Sequence, residues 1–178
     1  MENANIYFKK MSGIVRFISD LHFSHTNLII GMRGFASIEE HDEYIISQWN
    51  KVVGKKDVTY ILGDLTMEKK SPYSLLDRLN GLKHVILGNH DRLQDVPELL
   101  KHVHSVSGCI NYKGLMLTHI PIIESEIMGH FYRNIHGHIH KDKIQNDRYV
   151  NVSCEAVGYT PKTLLELGVI IPEKLIIR

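Results

Sequence analysis

Aspartate, asparagine and histidine recur in this chain in short clusters, each following an apolar run. Asp20 and His22 stand in "SDLHFSH", Asp64 in "LGDL", Asn89 and His90 in "LGNHD", His119 in "LTHIP", and His138 and His140 in "HGHIH". Carboxylate oxygen, amide oxygen and imidazole nitrogen together suit borderline divalent cations such as Mn²⁺, Fe²⁺ or Zn²⁺. No thiolate is among them, which argues against a structural zinc. Eight such positions exceed what one ion needs, so the set points to two ions with a carboxylate bridging them. A pair about 3.5–4 Å apart clamps the attacking and leaving oxygens of an in-line displacement at phosphorus and yields hydroxide near neutral pH. Any one cluster alone says much less. Gly88-Asn89-His90-Asp91 is good turn chemistry, Asp64 after glycine suits a helix cap or Asx-turn, and a lone His22 suits a cap or core. The weight lies in five loops carrying ligand types at once.

Loops can share a cation only if the elements before them converge. The runs "IVRFIS" (14–19), "DVTYIL" (57–62), "HVIL" (84–87), "LMLT" (115–118) and "NI" (134–135) read as strands ended by turn chemistry, the first three mostly buried. Ser37 and Glu40 form a capping box for a helix over 38–52, striped by Ile38, Tyr44, Ile45, Gln48, Trp49 and Val52. Ser71-Pro72 opens a second helix through Leu75, Leu76 and Leu79 to Asn80-Gly81, and a shorter one covers 97–102. Thr160-Pro161 opens a late helix with Leu164, Leu165 and Leu167. The first half is therefore β-α-β-α-β, which favours a parallel sheet with ligands beyond its carboxyl edge. Residues 103–118 read as a hairpin around "NYKG" and 147–153 as a strand. The whole is a mixed α/β fold, either one mixed sheet or two sheets packed face to face with helices outside.

At 178 residues, with 43% hydrophobic and 23% charged content, the chain reads as a single domain over 1–178. Lys plus Arg (21) nearly balances Asp plus Glu (20), so no basic block marks a nucleic-acid groove. The twelve histidines are the compositional anomaly. Cys109 and Cys154 form no metal or redox motif and read as unpaired in a reducing compartment. "MENANIYFKKMSG" has no long apolar run and nothing approaches a membrane span, so the expected location is cytoplasmic. The apolar end "KLIIR" suits closing a sheet or pairing with another subunit, and the oligomeric state stays open.

Asp20-x-His22, Gly63-Asp64, Gly88-Asn89-His90-Asp91, His119 and Gly137-His138-x-His140 resemble, in order, the motif series of calcineurin-like metallophosphoesterases, over residues 14 to about 155. "SDLHFSHTNLI", "RGF" and "GYTP" are further similar to a subgroup of small bacterial and phage phosphoesterases. Ser24 stands where that subgroup has Gly, and Thr118 precedes His119 where the family commonly has Gly. The resemblance implies a two-sheet β-sandwich flanked by helices. It implies that Asp20, His22 and His140 hold one cation, that Asp64 bridges, and that Asn89, His119 and His138 hold the other. Mn²⁺ is the leading metal, with Fe, Zn or Ni as alternatives. His90 would sit over the substrate, protonating the leaving oxygen or stabilising the transition state. His25 and Asn27 are candidate substrate contacts, with Arg33 a phosphate clamp. His136 reads as packing or as a support behind a ligand, and Asp91 as fixing its loop or orienting His90. The implied activity is hydrolysis of small phosphate esters by in-line attack of metal-bound hydroxide, leaning by family analogy to nucleotide-like or cyclic diesters. A phosphomonoesterase is the alternative, and a non-catalytic metal-binding scaffold a more distant one.

Overall fold

The computed structural model describes residues 13–67 and 73–173; Ser71-Pro72, "KLIIR" and residues 1–12 lie outside the described residues. Among the described residues, two four-stranded sheets form the frame, with helices flanking them. The first is wholly parallel: β1 (Val15–Ile18), β2 (Val58–Leu62), β3 (Leu82–Ile86) and β4 (Ser105–Ser107), in that order. Both Phe17 and its neighbour Ile18 are fully buried, as in a strand covered on both faces. The second sheet runs β5 (Ile110–Tyr112), β6 (Leu115–Leu117), β7 (Arg133–His136), β8 (Tyr149–Asn151), antiparallel only between β5 and β6.

Helix α1 (Ile38–Val52) begins where the capping box placed it: Ser37 accepts the Glu40 N–H at 3.1 Å, while the Glu40 carboxylate accepts the Ala36 N–H at 2.8 Å. Its buried face is His41, Asp42, Ile45, Ile46 and Trp49, so two polar residues turn inward for reasons given below. Trp49 is fully buried in the main core and donates its indole N–H to the Asn80 carbonyl at 3.0 Å. Trp49→Ala is expected to lower unfolding free energy by about 3–5 kcal/mol, read as a fall in the urea midpoint at unchanged slope.

Three expected elements differ. The second helix is a 3₁₀ turn over Ser74–Arg78, because Tyr73 sits in the left-handed region (φ 77°) and the bonds from Leu76 to Tyr73 and Leu79 to Leu76 span three residues. Residues 103–118 divide between the sheets: Ser105–Ser107 pairs with β3, and the hairpin proper is β5–β6 around Lys113-Gly114, both at positive φ. The late helix does not form. Lys162 instead pairs antiparallel with Phe17 of β1, and Thr163 and Glu166 close a capped turn ended by Gly168 at φ +68°. Shorter α-helices are α2 (Val96–Leu99), α3 (Glu124–Ile127) and α4 (Cys154–Val157). Cys109 is exposed and Cys154 buried, both free. No helix among the described residues is long and apolar enough to cross a membrane.

Candidate metal centre

Ladder bonds continue past the strand ends and carry the polar loops together. Asp20 N–H donates to Gly63 O at 3.0 Å, His22 N–H to Asp64 O at 2.9 Å, and Gly137 N–H to His119 O at 2.9 Å. The two sheets meet at the same edge, where Ser19 N–H donates to Val152 O at 2.8 Å and Cys154 N–H to Ser19 O at 3.0 Å. Close approach then requires bare backbone. A side chain at Gly88 would collide with the Asp64 carboxylate, and one at Gly137 with Ser19 and Asp20.

Two clusters result, each with ligand atoms mutually within 4.8 Å: Asp20, His22 and His140, and Asp64, His119 and His138. The turn 137–140 thus sends one histidine to each. Asp64 lies between them, with Oδ2 at 3.4 Å from His22 Nε2 and 3.3 Å from His119 Nε2. Asn89 joins the second cluster, its Oδ1 2.9 Å from His119 Nε2. Asp20, His22, Asp64, His138 and His140 all occupy the left-handed region, at φ 59°, 49°, 56°, 71° and 50°. Non-glycine residues held there cost of order 1–3 kcal/mol each, strain that persists where a site demands it.

The donor chemistry fits divalent cations. Asp20 Oδ1 and both ring nitrogens of His22 are buried without a hydrogen-bond partner, which is costly unless a charge meets them. His119 directs Nδ1 at Leu62 O (2.7 Å), so Nε2 faces the oxygens of Asp64 and Asn89. His140 directs Nδ1 at Glu155 (3.0 Å), which orients its Nε2 as the other candidate donor. Burial opposes ionisation of Asp20, yet the imidazoles of His22 and His119 and the bonds from Ser19 and the His138 N–H hold its carboxyl well below the usual range. Burial likewise opposes charge on Asp64, but His119 and the His90 N–H outweigh it and its pKa falls. His119 is raised by Asp64 and Asp20 against its own burial. The space between these atoms attracts positive charge.

The other expected residues sort by position. His90 is exposed at the mouth; its backbone N–H donates to Asp64 Oδ1 at 2.9 Å, and its ring lies 5.3 Å from His22 and 5.9 Å from His25. His25 shares that mouth, its Nδ1 accepting the Leu28 N–H at 3.3 Å, which leaves Nε2 to carry the proton. Asn27 is exposed at the head of a π-helical turn, Asn27–Met32, outside both clusters. Arg33 is corrected. Its side chain is fully buried, donating to Asp20 O (2.6 Å), Leu21 O (3.0 Å) and Glu155 (2.8 Å), with Nη1 2.7 Å from His41 Nε2. A guanidinium so engaged cannot clamp a phosphate. His41 in turn pairs with Asp42 at 2.7 Å and Asp42 accepts the Ser24 N–H at 3.2 Å, which explains the polar inward face of α1. Asp91 fixes its loop, accepting N–H bonds from Asp64 (2.8 Å), Leu65 (3.0 Å) and Gly88 (2.8 Å) rather than orienting the His90 ring. His136 is buried, with Nδ1 on Gly137 O. Glu155 went unnoticed in the sequence, where only "CEAV" after "NVS" surrounds it.

Fold and site define a class. The sequence model of the calcineurin-like phosphoesterases matches residues 15–163, and the chain belongs to that family. It is 34% identical to an uncharacterized protein of Methanocaldococcus jannaschii, over 84% of this chain and 86% of that protein. It is 27% identical to the Gene 66 protein of Mycobacterium phage D29, over 80% of this chain and 88% of the phage protein. Among solved structures, a protein of unknown function from Aquifex aeolicus is similar with a TM-score of 0.70 and 26% identity, over 88% of this chain and 98% of that one.

Proposed function

We propose that this phosphoesterase hydrolyses small phosphodiesters, nucleotide-like or cyclic, with two divalent cations, Mn²⁺ first among them. The observation that carries the reading is Asp64 set between two clusters that each hold one histidine of the 137–140 turn. When bound, the cation pair lowers the pKa of water and draws charge from the phosphoryl oxygens. Asp20, His22 and His140 would hold one ion, Asn89, His119 and His138 the other, with Asp64 placed to serve both. His90, exposed beside His22, protonates the leaving oxygen. His25 presents its Nε2–H near His90 and steadies a phosphoryl oxygen. The diester preference draws support from Arg33: the cation best suited to the second charge of a monoester is buried elsewhere. Near-balanced charge, 21 Lys plus Arg against 20 Asp plus Glu, supports a small substrate over long nucleic acid.

The test compares bis(p-nitrophenyl) phosphate with p-nitrophenyl phosphate after chelation and reloading with Mn²⁺. Faster, metal-dependent diester turnover is expected. Faster monoester turnover assigns a phosphatase, and inactivity on both assigns a non-catalytic scaffold. Metal should also stabilise the fold: at a hundred times its Kd, an ion bound only by the native state adds about 2.7 kcal/mol. Chelation is therefore expected to lower the melting temperature and Mn²⁺ to restore it, in differential scanning fluorimetry.

A further inference from the structure

The second cluster opens onto a cleft of about 340 Å³ whose walls beyond Asn89 and His119 take no part in the roles above. It lies beyond the carboxyl ends of β3, β4 and β6, where the edge of the first sheet parts from the second. Leu87 donates its N–H to Ser107 O at 3.0 Å, so β3 and β4 stay paired up to its rim. Asn89 and His119 form the end nearest the proposed cations. Leu87 and Ile120, the latter 51% exposed, supply apolar surface, while Gly88 and Gly108 present bare backbone. The Thr118 hydroxyl donates to the Ile120 carbonyl at 2.7 Å and fixes that wall.

Gly108 is informative because nothing in the fold requires a glycine there. A Cβ at this position meets no atom within 4 Å, and its φ lies outside the left-handed region, in contrast with Gly63 (φ +89°) and the crowded Gly88 and Gly137. Its missing side chain keeps the cleft open. Among the described residues the lining contains no Lys, Arg, Asp or Glu, so away from its His119 end a phosphate chain or carboxylate would find no counter-charge. Its volume sits at the small end of small-molecule sites, about 300–1,000 Å³. We propose that this cleft holds the organic group esterified to the phosphate, and that its ligand class is an uncharged, ring-bearing alcohol of nucleoside size. The open space at Gly108 leaves room for a ring, and Leu87 and Ile120 supply the apolar contact. This assignment rests on the phosphoesterase reading.

Gly108→Phe fills the cleft without backbone strain, and Gly108→Ala is the control. The readout is the ratio of kcat/KM for thymidine 5′-(p-nitrophenyl phosphate) to that for methyl p-nitrophenyl phosphate, on Mn²⁺-loaded protein. Calorimetric titration with thymidine reads the cleft without chemistry. The wild-type ratio is expected well above one, falling about tenfold or more in Gly108→Phe, with thymidine binding weakened in parallel. Melting temperature and metal content show that the variant is folded and loaded; Ile120→Trp narrows the cleft from the opposite wall should Gly108→Phe fail to fold. A ratio near one, or one unchanged in a folded and loaded variant, overturns the cleft assignment and leaves the phosphoesterase standing. Hydrolysis of neither ester by wild type overturns the phosphoesterase reading, and this assignment with it.

Discussion

Asp64→Asn is expected to lower kcat of the Mn²⁺-loaded protein by about a thousandfold or more, about 4 kcal/mol of transition-state stabilisation. The substitution preserves shape, and one oxygen remains to accept the His90 N–H now held at 2.9 Å by Asp64 Oδ1. What it removes is the charge, and the oxygen that lies 3.4 Å from His22 Nε2 and 3.3 Å from His119 Nε2. An amide nitrogen there has no lone pair to offer a cation and points its protons at whatever the two imidazoles hold. Metal stoichiometry by plasma emission should fall below two per chain, while circular dichroism stays native. Near-normal turnover with full metal content would mean that Asp64 does not bridge, and the proposed centre would have to be redrawn.

The centre was legible in the sequence to the extent that parallel-strand geometry dictates it. When β1, β2 and β3 run side by side in register, Asp20, Asp64 and Asn89 must come out at one edge, and the apolar runs before them announce the strands. The GHIH turn was legible for a similar reason, since alternate residues of a tight turn can face one region. Arg33 was misread because its partner Glu155 lies 122 residues away, and no local pattern records a contact of that separation. The late helix failed because helix propensity competes with an available edge: Phe17 offered Lys162 a backbone pairing, and tertiary hydrogen bonding outweighed a local preference of tenths of a kcal/mol. Ser105–Ser107 leaves the expected hairpin for the same reason, its partner being β3 rather than its neighbour in sequence.

Glu155→Gln is expected to weaken binding at the first cluster by about 10–100-fold while leaving the second unchanged, seen as one displaced step in a calorimetric Mn²⁺ titration. One carboxylate oxygen, Oε1, receives both His140 Nδ1 at 3.0 Å and Arg33 Nε at 2.8 Å. The bond fixes the tautomer and aim of His140, and its charge makes that imidazole a stronger donor. Burial works against an ionised Glu155, but His140 and Arg33 hold its pKa down at about 2. A carboxyl depressed in this way contributes its stabilisation above the unfolded-state value and loses it only as the pH falls towards 2. Between pH 5 and 8 its charge is constant, so the pH dependence of metal binding there belongs to histidines. The amide oxygen of glutamine can still accept both bonds but brings no charge, leaving a fully buried guanidinium with only neutral partners, among them Asp20 O, Leu21 O and His41. The melting temperature should therefore fall as well, and the two effects need separating. Arg33→Lys tests this: it perturbs the buried cation while leaving Glu155 to His140. A stability loss with first-cluster affinity intact in Arg33→Lys, set against affinity loss in Glu155→Gln, assigns Glu155 to positioning His140. Equal affinity losses in both would mean that the network acts only by holding the fold together.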